Sequence, residues 1–192
     1  DVNGDSIWYT RNGDIVTMHV TAKIFNNSSD NINMARAAKD IVSDIKSTYE
    51  GKFEWSDNKT YNLKVDMDLK VATSMKDVEN SDHLFVLADS DSKGARGATS
   101  MLGGKVMTLA SSDFANNNWL SNNLSYNKTF TATHEFGHAI GLSHSQNPFN
   151  IMKQGGVVHN SNSNQRVIML QQQNNLNNNL VVDIYNLGLK WR

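Results

Sequence analysis

Residues 14–25 run Asp-Ile-Val-Thr-Met-His-Val-Thr-Ala-Lys-Ile-Phe. Apolar and polar positions alternate and many side chains are β-branched, which predicts a strand. Ser28, Ser29, Asp30 and Asn31 then offer helix caps. Met34, Ala38, Ile41, Ile45 and Tyr49 recur at helical spacing, and Gly51 is the expected stop. From 61 to 72 the period returns to two: Leu63, Val65, Met67, Leu69 and Val71 stand against Lys64, Asp66, Asp68 and Lys70. That is a strand with one face buried. Residues 84–88 form a short, wholly apolar strand, and 105–109 form another after the Gly103-Gly104 turn. A helix is expected from about 129 to 140, with Phe130, Phe136, Ala139 and Ile140 facing a core.

The order strand–helix–strand–strand–strand–helix suits a layered α/β or α+β fold, and periodicity alone allows any such sandwich. Residues 164–173 carry Val167, Ile168 and Leu170 for a C-terminal helix, and 180–191 read as a final strand. Asn-rich stretches at 116–127, 160–164 and 174–179 read as solvated loops.

Composition narrows the classes. A chain of 192 residues can bury one substantial core. A net charge of −1 suggests neither nucleic acid nor an anionic membrane as partner, and no stretch approaches a membrane span. There is no cysteine, so neither a disulfide nor a thiolate ligand from this chain is available. Residue 1 is Asp with no signal-peptide pattern after it, so a mature form or an excised domain is expected. One domain over 1–192 is expected, with 1–141 as its N-terminal subdomain and 142–192 as its C-terminal subdomain.

The chemistry concentrates in His134-Glu135-Phe136-Gly137-His138-Ala139-Ile140-Gly141-Leu142-Ser143-His144. Two histidines four apart share one helix face, so their imidazoles can reach one metal ion. Glu135 projects beside the pair, where it can hold a water rather than the metal. Gly141 turns the chain, because only glycine enters the left-handed region cheaply, and His144 arrives as third ligand. Three protein ligands leave one tetrahedral position open, as in a catalytic rather than a structural zinc site. With 6 His and 12 Gly in the chain, chance placement of all five fixed positions is on the order of 10⁻⁵. The competing reading, a surface helix with satisfied histidines, is correspondingly weak.

This long histidine motif, followed by Asn150-Ile151-Met152, resembles the metzincin clan of zinc metallopeptidases. The resemblance implies an α+β catalytic domain: a twisted, mostly parallel sheet packed on two helices, then a Met-turn and a C-terminal helix. It implies one catalytic zinc on His134, His138 and His144, Glu135 as general base, and Met152 on a tight turn beneath the ligands, with Gly141 as structural support. Ser145 after the third histidine, and the segment from Ser112-Asp113-Phe114 to Trp119, are most similar to matrixins, the likeness covering roughly 104–152. By that likeness a strand near 104–110 borders the cleft and pairs with an extended protein or peptide substrate, and residues 154–158 wall the main pocket. Three features depart from the pattern. Lys153-Gln154 stands where matrixins carry Tyr-Pro after the Met. Gln154 replaces the zinc-proximal tyrosine of astacin-like and serralysin-like members. No histidine lies between His83 and His134 to build a second, structural zinc site.

Weaker signals remain. Asp89-x-Asp91 ahead of Gly94 is a calcium candidate, although the full ligand series of a calcium loop is missing and a plain acidic turn competes with it. His19 reads as structural, and His159 as a loop residue that borders the cleft at most. Asp1-Val2-Asn3-Gly4 resembles the junction at which Rhs-repeat polymorphic toxins pass into a variable C-terminal effector, usually Asp-Pro-x-Gly, with Val2 replacing the Pro. An ordinary loop entering a first strand is the competing reading. The toxin resemblance implies secretion or export from a bacterium, delivery into a target cell and a separate immunity or inhibitor protein. The expected activity is a monomeric zinc endopeptidase. Its rivals are a zinc hydrolase of cell-wall peptides and a non-catalytic adhesion module.

Overall fold

A computed structural model describes residues 7–54, 58–89, 97–115, 125–146 and 151–153, with the side chains of the last helix from residue 130. Outside the described residues lie the 1–6 junction, Asp91 and Gly94, most of the 116–127 stretch with Trp119, Asn150, residues 154–158 and His159. The Asn-rich stretches at 160–164 and 174–179, and the helix and strand expected at 164–173 and 180–191, also lie outside them.

The elements follow the order β1 (Ile7–Asn12), β2 (Ile15–Asn27), α1 (Met34–Tyr49), β3 (Gly51–Glu54), β4 (Thr60–Val71), β5 (His83–Ala88), β6 (Gly97–Thr99), β7 (Val106–Ala110) and α2 (Ser125–Ala139). The seven described strands form one sheet, six of them in the order β3-β4-β2-β5-β7-β6 and β1 paired with β2 off that path. Its middle is parallel: β4 and β5 both pair with β2, and β7 pairs with β5. Its margins are antiparallel: β3 on β4, β6 on β7, and β1 on the first half of β2. The sheet is therefore mixed, with its parallel strands buried in the centre. β1 and β5 share one edge of the long β2 in succession, β1 over Ile15–Val20 and β5 over Ala22–Asn27.

Alternation on β2 and β4 decides which face is covered. Val16, Met18, Val20, Ala22 and Ile24 from β2 are buried, as are Tyr61, Leu63, Val65 and Met67 from β4. Helix α1 lies against β4 and β2, helix α2 against β6 and β7, and the two helices touch each other. Ala37, Ala38, Ile41, Ile45 and Tyr49 form the inner stripe of α1. The cap of α1 is Asn33, whose side chain accepts from the Arg36 N–H at 3.0 Å, rather than any residue of the 28–31 cluster. Those four residues are used differently: the Asn26 side chain accepts from Ser28, and Asp30 accepts from the buried Ser111 hydroxyl at 2.6 Å. The inward pattern of β4 also ends sooner than the sequence suggests. Val71 is 40% exposed and lines a groove with Ala35, Ala38 and Leu69.

Helix α2 begins at Ser125, four residues ahead of its expected start, and Phe136, Ala139 and Ile140 are buried as expected. Strand β7 is an inner strand, flanked by β5 and β6. The sheet margin expected at 104–110 is thus displaced to β6, which the apolar pattern does not reveal. The expected calcium ligands gain no support. The Asp89 carboxylate accepts from Ser29, and the only metal-competent cluster among the described residues is elsewhere.

Candidate metal centre

Helix α2 carries His134 and His138 on one face, one turn apart. It ends in a Schellman motif. Gly141 adopts φ 96°, its N–H bonds to the His138 carbonyl at 3.0 Å, and the Leu142 N–H bonds to the Gly137 carbonyl at 2.8 Å. Leu142 is buried and anchors the turn. The reversal carries His144 back over the helix end, with its ring 4.6 Å from that of His138 and 5.4 Å from that of His134, centroid to centroid.

The hydrogen bonds fix what the imidazoles can offer. His134 donates from Nδ1 to the Ile151 carbonyl at 2.6 Å, and His138 donates from Nδ1 to the Leu142 carbonyl at 2.7 Å. A carbonyl only accepts, so both Nδ1 atoms carry a proton, and the neutral form of each ring presents its lone pair at Nε2. His138 Nε2 stands 3.1 Å from His144 Nε2, and one ligand atom from each of the three rings falls within a span of 4.8 Å. Lone pairs at such a separation repel unless a proton or cation lies between them. Zinc–nitrogen bonds of about 2.0–2.1 Å in tetrahedral array bring such atoms just over 3 Å apart. The donor set fits zinc. Burial also holds His134 below the ordinary imidazole range, which favours the neutral, ligating form.

The turn at Ile151–Lys153 lies beneath this cluster. The Ser145 N–H bonds to the Met152 carbonyl at 2.8 Å, and the Ile151 carbonyl receives His134. Met152 is 2% exposed. Its sulfur sits where a side chain at position 137 would project, so Gly137 is the residue that lets the turn approach the helix. The Tyr49 hydroxyl occupies the same region and donates to the Thr133 carbonyl at 2.9 Å, tying α1 to α2. Burial pushes the Tyr49 phenol far above its usual range, so it stays a neutral donor.

Glu135 is buried and faces β6. The Thr99 hydroxyl donates to its Oε2 at 2.6 Å and lies 3.0 Å from its backbone carbonyl. The Gly103 N–H, in the turn between β6 and β7, bonds to the His138 carbonyl at 2.8 Å. Every sequence-derived site residue, His134, Glu135, His138, Gly141, His144 and Met152, therefore meets in one place. Sequence reasoning missed Tyr49 as a helix tie, Gly137, Gly97 and Thr99. The Gly103-Gly104 pair was the available signal for the last two, since a hairpin turn before β7 implies a returning strand ahead of it. His19 lies apart, bonded to Thr10 and Asp66 and stacked on Trp8 across three strands.

A family model described as matrixin matches residues 9–174. No curated protein matches the chain. Among solved structures, archaemetzincin from Methanopyrus kandleri is similar at 16% identity and a TM-score of 0.43, over 88% of this chain and 96% of that one.

Proposed function

The chain belongs to the matrixin family of metzincin zinc peptidases, and from that premise we propose that it is a zinc-dependent endopeptidase acting on protein substrates. The observation that carries this reading is the convergence of three imidazoles, two with their tautomers fixed by backbone carbonyls, beside the carboxylate of Glu135. His134, His138 and His144 would hold the zinc, which supplies Lewis acidity to a carbonyl oxygen and to water. Glu135 takes a proton from the attacking water as the carbon–oxygen bond forms. It returns that proton to the leaving amine as the carbon–nitrogen bond breaks. The bonds to Ile151 and Leu142 keep both rings oriented, with Nδ1 held on the backbone and Nε2 turned to the cluster, as outer partners of metal-bound histidines do. Among the described residues β6 ends the strand order, and the margin beyond it is the place for an extended chain to lie.

Metal analysis and cleavage-site profiling test the reading together. Wild type is expected to bind zinc at one per chain and His138→Ala to lose it. Glu135→Ala keeps the zinc and loses roughly 10²–10⁴-fold in turnover. Cleavage of cell-wall peptides alone in a mixed panel would move the substrate class away from proteins. Delivery as an exported effector belongs to the same proposal and rests only on residues 1–4. Cytosolic expression is expected to slow growth and Glu135→Ala to relieve it, whereas equal growth counts against an intracellular target.

A further inference from the structure

Gly97 and Thr99 are two apart on β6, so both face the same way, and that way is toward α2. They meet the two oxygens of one carboxylate. The Thr99 hydroxyl donates to Glu135 Oε2 at 2.6 Å, the length of a charge-assisted O–H···O⁻ bond. At position 97 a Cβ would stand 2.9 Å from Glu135 Oε1 and 2.9 Å from its Cγ, and would also collide with the Thr131 methyl. The missing side chain at 97 thus gives the carboxylate its space, and the hydroxyl at 99 fixes its rotation.

We propose that Thr99 is a positioning residue for Glu135: it engages Oε2 and so leaves Oε1 as the oxygen that exchanges the proton with water and the leaving amine. The inference rests on the peptidase reading for its consequence, but the contact itself does not. A base on a helix side chain has several rotatable bonds, and misplacement by about 1 Å can cost on the order of a hundredfold in rate. The edge strand that borders the substrate also sets the base, so substrate seating and base orientation share one element.

Only four glutamates occur in the chain, Glu50, Glu54, Glu79 and Glu135. Glutamate labelled with carbon-13 at the carboxyl therefore gives four resonances, and the one lost in Glu135→Gln is the reporter. Thr99→Val and Thr99→Ala are expected to shift that resonance and lower kcat about ten- to a hundredfold. KM should stay within about twofold and bound zinc should be retained. Thr99→Ser is expected to restore both the resonance and kcat. Zinc-free protein gives the spectroscopic reading without any turnover. An unmoved resonance with wild-type kcat in Thr99→Val, or a Thr99→Ser variant as impaired as Thr99→Val, overturns the proposal. If wild type cleaves no peptide while the resonance still follows the hydroxyl, the contact stands and the peptidase reading falls.

Discussion

His83 is buried on β5, and burial, aided by nearby Lys105, pushes its imidazole down to about 4 from an ordinary 6.5. The unfolded chain takes up the proton first as pH falls, so protonation favours unfolding. Stability from this residue is complete above about pH 6.5 and is lost progressively toward pH 4, by on the order of 3 kcal/mol. Urea unfolding at pH 7 and pH 4.5 checks this: the wild-type midpoint should fall further than that of His83→Gln. Gly137 shows a steric constraint of the same scale. An alanine there would meet the Met152 sulfur and stand 2.8 Å from the Tyr49 hydroxyl. Both neighbours are buried. Overpacking of this kind costs about 1–3 kcal/mol, so Gly137→Ala is expected to lower the melting temperature by roughly 3–10 °C.

At the level of elements, the end of α2 matters more than its length. The Schellman turn at Gly141 both satisfies the last carbonyls and aims His144 at the other two rings. Alanine at φ 96° carries a strain of about 1–2 kcal/mol. Gly141→Ala is therefore expected to lose stability and, more tellingly, zinc affinity, because relief of the strain swings His144 away. Competition with a chelator of known affinity measures the second effect. Undiminished affinity would show that His144 reaches the metal without the left-handed turn. Strand β6 is the opposite kind of element: three residues long, it has almost no core of its own, yet it meets the Glu135 carboxylate.

Across the whole molecule, the cluster joins parts that the sheet does not. α2 belongs to the layer beneath β6 and β7, whereas His144 and Met152 lie on the chain beyond it. A metal that binds only the folded form stabilises it by about 4 kcal/mol at a thousandfold excess over its dissociation constant. Chelation should accordingly lower the melting temperature by roughly 10 °C. His138→Ala should melt at the same temperature with or without chelator. A wild-type melt indifferent to chelation would mean that the three rings do not hold a stabilising ion.

The sequence by itself determined the long elements and the three histidines that cluster. β2, α1, β4, β5, β7 and α2 each bury a regular apolar row, and that row is written in the chain with its period. The histidine motif was legible because its members are local: four residues of helix and one glycine turn place all three rings. Short marginal strands were not legible. β1 mixes Thr10, Arg11 and Asn12 into its run, β3 has four residues and β6 reads Gly-Ala-Thr, so none carries enough alternation to stand out. Only the tertiary structure decided which strand ends the sheet beside α2, because strand order depends on crossovers rather than on local pattern. It alone brought Thr99 to Glu135 across 36 residues, and Tyr49 to Thr133 across 84. Such contacts arise when separately specified surfaces pack together, and no spacing along the chain encodes them.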